Sequence, residues 1–392
     1  MSDVVIVEAV RTPVGRRNGG LSTFHPVDLL SAVQTAMVER SGVDPADIEQ
    51  VVGGCISQVG PQAFNITRTA WLAAGLPISA ACTTVDSQCG SSQQATSIAS
   101  SFISAGVVDV AAACGVEVMS RVPMGASLAG GKYGNAVPKT YFAQHEYTTQ
   151  FEAAERIAEK WGITREELDQ FGVESQRRAA VAWDEDRFGT QIVPVDAPVL
   201  GEDGKPTGET TRITRDEGLR ETTMEALAAL KTVAREENGF HTAGTASQIS
   251  DAAAAVLMMS ADKAEALGLT PRARVVDSCL IGSDPTLMLT GPIDATQRLF
   301  ARTGLTMDDM DVTEINEAFA SVVLAWAKEM QPDMAKVNPN GGAIALGHAL
   351  GSTGAVLITK ALHELERTDG EYGLVTMCCG GGLGTGTIIQ RV

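Results

Sequence analysis

The strand–helix organisation of the chain is clearest in residues 81–95, which read ACTTVDSQCGSSQQA. Residues 81–85 predict a strand, and residues 92–104 predict a long helix that starts just after Cys89. A cysteine at a helix N-terminus lies beside unpaired backbone N–H groups and the positive end of the helix dipole. Both effects lower the pKa of a thiol toward the nucleophilic thiolate. We therefore interpret Cys89 as a candidate nucleophile, although a cysteine taken alone is more often a buried apolar residue.

Strands and helices alternate over most of the chain. The pattern predicts strands at 4–7, 51–52, 107–114, 273–280, 312–315 and 373–377, helices at 27–40, 65–74, 294–302, 318–330 and 355–365, and an alanine-rich helix after Asp251 within 250–259. This alternation predicts the α/β class, with parallel sheets that are covered by helices on both faces. Gly occurs 40 times and aromatic residues make up only 5%, which favours the close helix–sheet packing of such folds.

The segment from about 119 to 244 differs, since it is polar and charged. It predicts helices at 151–161 and 165–184, and Asp203-Gly204 predicts a hairpin turn. The C-terminal third then repeats the plan of the first part, with a reactive loop, a helix and an apolar strand. We therefore predict an N-terminal half (1–118 with 250–271), an inserted loop domain (119–249) and a C-terminal half (272–392).

Charge and cysteine content narrow the class of protein. The net charge of -18 disfavours nucleic acid and anionic membranes as partners, so an anionic substrate would need a local cationic patch. Seven cysteines without C-x2-C spacing predict reduced thiols, no metal site and a cytoplasmic location. The first residues lack a basic region and no apolar run approaches about 18 residues, so we expect neither a signal peptide nor a transmembrane helix.

Two further candidates lie far downstream of Cys89. His348 has glycines close on both sides, and an imidazole is the natural base for a thiol near neutral pH. Cys378 opens the run CCGGGLG, whose glycines let backbone N–H groups converge on a developing oxyanion. A thiol in that position can move a proton on or off the carbon alpha to a thioester. One nucleophile and two proton-handling groups are what reversible carbon–carbon cleavage beside a thioester requires.

An asparagine completes the set of candidate residues. Asn316 follows the predicted strand 312–315 and opens the sequence NEAF. A strand-end asparagine can fix a water or a carbonyl group, but asparagine is also common there for turn formation. By itself this tetrapeptide is weak support for function.

Together these motifs resemble those of thiolases, the acetyl-CoA C-acyltransferases. The resemblance rests on Cys89 with Gly90-Ser91, on residues 316–319 (NEAF), on residues 340–348 (NGGAIALGH), on Cys378 with the glycines at 380–382, and on the opening residues 10–15 (VRTPVG). It covers essentially the whole chain. It implies a core of two similar βαβαβ halves, stacked as five αβαβα layers, with the loop domain inserted in the first half.

The resemblance also implies a role for each residue. Cys89 would take the acyl group, His348 would activate Cys89, and Cys378 would be the acid and base for the alpha carbon. One oxyanion hole would consist of His348 and a water held by Asn316. The backbone N–H groups of Cys89 and Gly380 would form the other.

Coenzyme A would be a substrate along the loop domain, with no tightly bound cofactor. Ser247 matches the family's CoA-contacting serine, and Arg220 matches a CoA-side arginine, although the spacing nearby is one residue short. Met288 and Phe319 match residues near the acyl pocket. The resemblance further implies a homodimer or a homotetramer.

The sequence departs from the family pattern at several positions. Ser92 stands where thiolases often have Gly, and Ala349 where they often have Pro, and neither change removes a reacting atom. Residues 150–155 (QFEAAE) replace a Met-Gly pair that lines the acyl side of the site in short-chain members. This segment and the pair Gln93-Gln94 resemble actinobacterial thiolases of steroid degradation. We therefore expect a bulky 3-ketoacyl-CoA substrate, cleaved to acetyl-CoA or propionyl-CoA and a shortened acyl-CoA.

Three other functions remain as alternatives. The first is a biosynthetic acetyl-CoA acetyltransferase, which forms acetoacetyl-CoA. The second is a decarboxylating ketoacyl synthase, which is disfavoured because Cys378 stands where a second histidine would be required. The third is a catalytically silent acyl-CoA-binding protein, which the presence of all three reactive residues argues against.

Overall fold

The computed structural model describes residues 2–128, 134–201 and 203–392. Residue 1 of the predicted N-terminal half, and residues 129–133 and 202 of the predicted loop domain, lie outside the described residues. The strands are β1 (Val4–Arg11), β2 (Gly15–Arg16), β3 (Gln50–Gly54), β4 (Ala81–Val85), β5 (Val110–Val118), β6 (Val195–Leu200), β7 (Pro206–Ile213), β8 (Ser250–Ser260), β9 (Ala273–Gly282), β10 (Val312–Ile315), β11 (Tyr372–Cys379) and β12 (Leu383–Arg391). The helices are α1 (Pro26–Ser41), α2 (Ile66–Ala73), α3 (Ser91–Ser104), α4 (Lys139–Phe142), α5 (Gln150–Lys160), α6 (Arg165–Asp184), α7 (Met224–Ala228), α8 (Ala261–Leu267), α9 (Gly291–Thr303), α10 (Ala320–Met330) and α11 (Thr353–Thr368).

The strands of the core follow the order β10-β11-β12-β9-β1-β8-β5-β3-β4, and β2 pairs with β8. β1 pairs with β8 along most of its length, whereas its contact with β9 consists of the pairs at Val5 and Ile6. Because this contact is short, we describe the strands as two sheets. The N-terminal sheet ends at β1 and the C-terminal sheet begins at β9. β6 and β7 form a separate hairpin.

Alternate residues of the strands face different hydrophobic cores. In β1, Val5 and Val7 pack with α1 and α2, while Val4 and Ile6 pack with α3 and α11. In β12, Ile389 belongs to that same central core, whereas Ile388 packs with α9 and α10. Each sheet therefore separates two helical layers, which confirms the five αβαβα layers expected from the resemblance.

The central helices α3 and α11 contact each other at their N-terminal ends. The N–H of Ala355 donates to Oγ of Ser92 at 2.9 Å. A Cβ at Gly354 would lie 2.3 Å from the backbone nitrogen of Gln93, so glycine is needed for this approach. Because α3 starts two residues after Cys89 and α11 starts five residues after His348, this contact brings the two candidate residues to the same end of the central layer.

The predicted alanine-rich helix at 250–259 is wrong, because these residues form the strand β8. β8 lies between β1 and β5 and pairs antiparallel with both. Ala252 to Ala255 are fully buried, since helices cover both faces of the sheet. The helix preference of alanine amounts to less than about 1 kcal/mol per residue, and two hydrogen-bonded neighbours on a buried strand override it.

The prediction of parallel sheets holds for only part of the core, because both sheets are mixed. β3 is parallel to β4 and β5, and β10 is parallel to β11, but β1, β8, β9 and β12 pair antiparallel with their neighbours. β12 was not predicted. Gly381 and Gly382 have φ of 80° and 78°, which lets the chain reverse directly after β11 in place of crossing over through a helix.

Residues between β5 and β8 contain α4 to α7 and the β6–β7 hairpin, with Gly204 at a φ of 74° in the predicted turn. This segment is attached to the first strand by a buried ion pair. Nη1 of Arg11 donates to Asp216 at 2.7 Å, and the N–H of Val14 donates to the same carboxylate at 2.7 Å. The opening sequence VRTPVG thus connects the core to the segment that follows β7.

Candidate active site

Cys89 lies in a tight turn between β4 and α3. Gln88 adopts a φ of 53°, in the left-handed region, and α3 begins at Ser91. The hydroxyl of Ser91 accepts from the N–H of Ser87 at 3.0 Å and donates to the carbonyl of Gln88 at 2.5 Å. These bonds fix the turn and place the thiol at the start of the helix, as the sequence predicts.

The structure corrects the expectation that the helix N-terminus lowers the pKa of Cys89. Burial raises the pKa of Cys89 to about 11, although the backbone N–H groups of Gly380 and of Cys89 itself donate to the sulfur and lower its pKa. Desolvation of the thiolate therefore outweighs the helix terminus. The resting residue is a thiol, and it needs a base to become the nucleophile.

His348 is the candidate base, and hydrogen bonds fix both its backbone and its ring. Its N–H donates to the carbonyl of Gln248 at 3.1 Å and to Oγ of Ser250 at 3.2 Å. Ring atom Nδ1 lies 2.7 Å from Oγ1 of Thr353, and Nε2 lies 3.3 Å from Nδ2 of Asn316. Burial lowers the pKa of His348 to about 4, so the ring is neutral near pH 7 and able to accept a proton.

Asn316 connects His348 to the strand that carries Cys378. Its N–H donates to the carbonyl of Thr376 in β11 at 3.1 Å. Its Oδ1 is buried and has no hydrogen-bond partner among the described residues. A buried amide oxygen next to an imidazole can accept from a water molecule, which is the arrangement the resemblance implies.

Cys378 lies near the end of β11, opposite Gly384 of β12. Burial raises the pKa of Cys378 well above its ordinary value, and Cys89 and then Cys379 raise it further. Cys89 and Cys378 are therefore close enough to affect each other's ionisation. Two neutral thiols and a neutral imidazole thus form the group, in which Cys378 and His348 are buried and Cys89 is half-buried.

Three of the four predicted binding residues border this group. The N–H of Ser247 donates to the carbonyl of Ala318 at 2.9 Å, and Ala246 forms a bridge with Phe319. Phe319 and Met288 pack in the same hydrophobic cluster as Cys378. Met288 has a φ of 53°, which is uncommon for a long side chain.

The structure does not bring Arg220 into contact with the reactive residues. Its backbone N–H donates to Oε1 of Gln176 at 3.0 Å, and its side chain is exposed. In the described part of the chain, no carboxylate lies within 4.0 Å of its guanidinium. The guanidinium is thus available to an anionic group at the surface.

Two residues that hold the site were missed in the sequence analysis. Thr353 contacts the ring of His348, and Glu117 accepts from the N–H of Gly351, three residues beyond that histidine, at 3.1 Å. Glu117 could have been found, because it is an acidic residue within the otherwise apolar strand VAAACGVEV. Thr353 offers no such signal in a helix that contains several small polar residues.

Neither a metal centre nor a membrane span is found within the described ranges. No group of three or more His, Cys, Asp and Glu side chains there could hold a metal ion. No helix in the same ranges is long and apolar enough to cross a bilayer. All seven cysteines are free thiols.

Comparison with known proteins identifies the family. The model of the thiolase N-terminal domain matches residues 4–262, and that of the thiolase C-terminal domain matches residues 269–391. The chain is 45% identical to the steroid 3-ketoacyl-CoA thiolase FadA6 of Mycobacterium tuberculosis, over 100% of this chain and 95% of that protein. It is 41% identical to a 3-ketoacyl-CoA thiolase of Idiomarina loihiensis, over the full length of both.

A solved structure agrees with these matches. The acetyl-CoA acetyltransferase of Bacillus anthracis superposes with a TM-score of 0.90 at 36% identity, over 100% of this chain and 99% of that one. The chain therefore belongs to the thiolase family. It is an acyltransferase, as the resemblance implied.

Proposed function

We propose that this thiolase cleaves a bulky 3-ketoacyl-CoA with CoA, through an acyl group on Cys89, and releases acetyl-CoA or propionyl-CoA with a shortened acyl-CoA. The observation that carries this proposal is the convergence of the N–H groups of Gly380 and Cys89 on the sulfur of Cys89. Donors in that position stabilise an oxyanion that forms on a carbon attached to the sulfur. Cys378 and the pair His348–Asn316, whose side chains contact each other, complete the set of proposed catalytic groups.

The first half-reaction transfers the acyl group to the enzyme. His348 takes the proton of Cys89 as the sulfur attacks the 3-keto carbon of the substrate. The C2–C3 bond breaks and its electron pair forms the enolate of the departing acyl-CoA, stabilised by His348 and a water on Asn316. Cys378 donates its proton to C2. The proton on His348 then returns to Cys378, so that both groups are neutral again.

The second half-reaction releases the shortened acyl group. His348 takes the proton of an incoming CoA thiol, whose sulfur attacks the acyl carbon on Cys89. The N–H groups of Cys89 and Gly380 hold the oxyanion. Cys89 leaves and receives its proton from His348. The kinetics are ping-pong, every step is reversible, and side chains with CoA supply all of the chemistry without a tightly bound cofactor.

We assign CoA binding to the inserted loop domain, residues 119–249, between an N-terminal half (1–118 with 250–271) and a C-terminal half (272–392). In a chain with a net charge of -18, phosphate groups need a cation without a carboxylate beside it. The exposed Arg220 meets this requirement. Ser247, half-buried beside Phe319, would contact the CoA chain closer to the thioester.

The proposal of a bulky acyl chain rests on the start of α5. The ring of Phe151 packs edge-on against Phe319, with centroids 5.4 Å apart. Nε2 of Gln150 donates to the sulfur of Met124 at 3.5 Å. Thr148 donates to the carbonyl of Thr286, two residues before Met288, at 2.7 Å. The segment before α5 is therefore tied to the predicted acyl side of the site.

That segment exposes an apolar patch, which we call the acyl-side patch. It contains Met124, Leu128, Phe142 and Tyr147, whose exposed fractions are 42%, 59%, 56% and 51%. The rings of Phe142 and Tyr147 lie 6.2 Å apart. Exposed apolar groups on a segment tied to a site favour an apolar ligand. A bulky chain, such as the steroid-derived one named for the M. tuberculosis relative, would fit this chemistry.

Thiolysis of a substrate panel tests the proposal. The panel runs from acetoacetyl-CoA to long-chain and steroid-derived 3-ketoacyl-CoAs, and we expect the highest kcat/KM with the bulky members. Phe142→Ser and Tyr147→Ser should lower kcat/KM for bulky members roughly tenfold, through about 1.4 kcal/mol of lost apolar contact, and leave acetoacetyl-CoA unaffected. Val107→Ser is the control, since Val107 is exposed at the far end of α3, about 20 Å from Cys89.

The other outcomes of the panel are equally informative. A preference for acetoacetyl-CoA would refute the bulky substrate and favour the acetyl-CoA acetyltransferase function, the name of the solved relative from B. anthracis. Turnover of no member would refute the thiolase reaction and favour a silent acyl-CoA-binding protein.

We further propose that the protein is a cytoplasmic homodimer or homotetramer. β4 pairs with β3 on one side, and within the described ranges no strand pairs with its other edge. Phe64 and Ile78, on either side of α2, are 94% and 80% exposed. A free strand edge beside exposed apolar groups favours association with a second copy. Light scattering of the protein and of Phe64→Ser tests this, with a monomeric wild type refuting it.

A further inference from the structure

The hydroxyl of Thr353 occupies the position behind the ring of His348. Oγ1 lies 2.7 Å from Nδ1 of the imidazole and 3.2 Å from the carbonyl of Ala349, four residues earlier in the chain. Both residues are buried, with 4% of each exposed. Water therefore does not compete for either hydrogen bond.

The hydrogen bonds around the ring select one arrangement of protons. A hydroxyl has a single proton, and a carbonyl oxygen can only accept, so the bond to Ala349 uses the proton of Thr353. With that proton used, Oγ1 accepts from Nδ1–H of His348; the opposite tautomer would leave the contact with Ala349 without a proton. The lone pair of Nε2 is left on the other side of the ring, where Nδ2 of Asn316 faces it at 3.3 Å.

Both states of His348 that the reaction uses require this arrangement. The neutral base must present the lone pair of Nε2 to a thiol, which places its proton on Nδ1. The charged ring that forms after proton transfer carries protons on both nitrogens, and Nδ1–H then needs an acceptor. Since the ring is buried and burial disfavours its charged form, an unpaired Nδ1–H would hinder proton transfer further.

We propose that Thr353 is a positioning residue that sets the tautomer of His348, by accepting a hydrogen bond from Nδ1–H while its own hydroxyl donates one to the carbonyl of Ala349. This inference rests on the proposed role of His348 as the base. Without Thr353, the neutral ring would place its proton on Nε2, where it blocks transfer from Cys89.

Three variants test the proposal. Thr353→Val keeps the shape and removes the acceptor, and Thr353→Ser keeps the hydroxyl. Thr359→Val is the matched control, because Thr359 is buried on the same helix and donates to Ala355 at 2.8 Å but, among the described residues, forms no hydrogen bond with a histidine. We expect Thr353→Val to lower kcat roughly 10- to 100-fold with little change in KM, as loss of a histidine's outer partner does in metal sites. Thr353→Ser and Thr359→Val should stay within about threefold of the wild type.

The tautomer itself is read by nitrogen-15 NMR of histidine-labelled enzyme. The wild type and Thr353→Ser should carry the proton of His348 on Nδ1, and Thr353→Val should carry it on Nε2. An Nδ1–H tautomer in Thr353→Val, or an equal loss of kcat in Thr359→Val, would overturn the proposal. The NMR comparison needs no substrate, so it decides the role of Thr353 even if the wild type fails the substrate panel.

Discussion

The backbone N–H of Gly351 donates a hydrogen bond to the carboxylate of Glu117 at 3.1 Å. This bond fastens the loop of His348, in the C-terminal sequence, to the end of β5. The same carboxylate accepts from the N–H groups of Ile56 and Ser57 and from Nε2 of Gln62. Burial raises the pKa of Glu117, and its four donors oppose that rise. The carboxylate of Glu117 thus accepts four hydrogen bonds. It joins its own strand β5 to the segment 56–62 and to the loop of His348.

Glu117→Gln should therefore destabilise the protein. The new amide nitrogen would face donors, so that buried N–H groups lose their acceptor. We expect the free energy of unfolding to fall by about 2–3 kcal/mol, measured by urea denaturation. Glu236→Gln, at an exposed glutamate, should change it by less than about 0.5 kcal/mol. Equal stability of both variants would show that the Glu117 cluster contributes nothing to the fold.

Substitution of the two reactive cysteines should abolish two different steps of the reaction. Cys89→Ala should abolish formation of the acyl-enzyme, because no sulfur remains to take the acyl group. Cys378→Ala should still accept an acyl group from a simple acyl-CoA but should lose exchange of the alpha hydrogens of acetyl-CoA with deuterated water. Mass spectrometry measures both. Cys279→Ala, at a buried cysteine of β9, should retain both activities, and retained exchange in Cys378→Ala would refute its assignment.

The pH dependence of Cys89 alkylation tests the effect of burial. Burial raises the pKa of Cys89 to about 11, so the thiolate fraction increases with pH throughout the range below that value. The rate of iodoacetamide labelling at Cys89, followed by peptide mass spectrometry, should therefore still rise between pH 9 and pH 10. Labelling that levels off near pH 7 would instead show that the helix N-terminus dominates, as the sequence alone suggests.

The contribution of the buried ion pair between Lys360 and Glu314 can be tested by measuring the free energy of unfolding. Nζ of Lys360 donates to Glu314 and to the carbonyl of Gly341, both at 2.7 Å. Burial raises the pKa of Glu314 to about 7, while Lys360 lowers it. Lys360→Met leaves the carboxylate unpaired and raises its pKa further. The free energy of unfolding should fall by about 3–5 kcal/mol at pH 8.

The sign of the pH effect follows from the raised pKa. At pH 5.5 the buried carboxyl of Glu314 is protonated in the folded variant, so Lys360→Met should lower the free energy of unfolding by less than at pH 8. This decrease should grow as the pH rises through about 7. Adding Glu314→Gln to Lys360→Met removes the charge and should restore much of the stability at pH 8. A loss that is the same at both pH values would contradict this account.

Much of the helical structure follows from local sequence. The predicted helix at 165–184 has the bounds of α6, where Thr164 and Glu167 form a capping box. Such a box satisfies the free N–H groups of the first turn from within four residues, so no distant contact is needed. The motifs around Cys89, Asn316, His348 and Cys378 also identified the family, because their residue types, order and spacing match the family pattern.

The remaining features depend on contacts between distant segments. Ala252 to Ala255 form a strand because β1 and β5 pair with β8 on either side, which no local propensity expresses. The pKa of Cys89 rises because residues far apart in the chain exclude water from its sulfur. The sequence by itself determined the reactive groups and the boundaries of helices such as α6, which are set by residue chemistry and short-range hydrogen bonds. Only the tertiary structure decided their solvation and their hydrogen-bond partners, because burial and strand pairing depend on the whole chain.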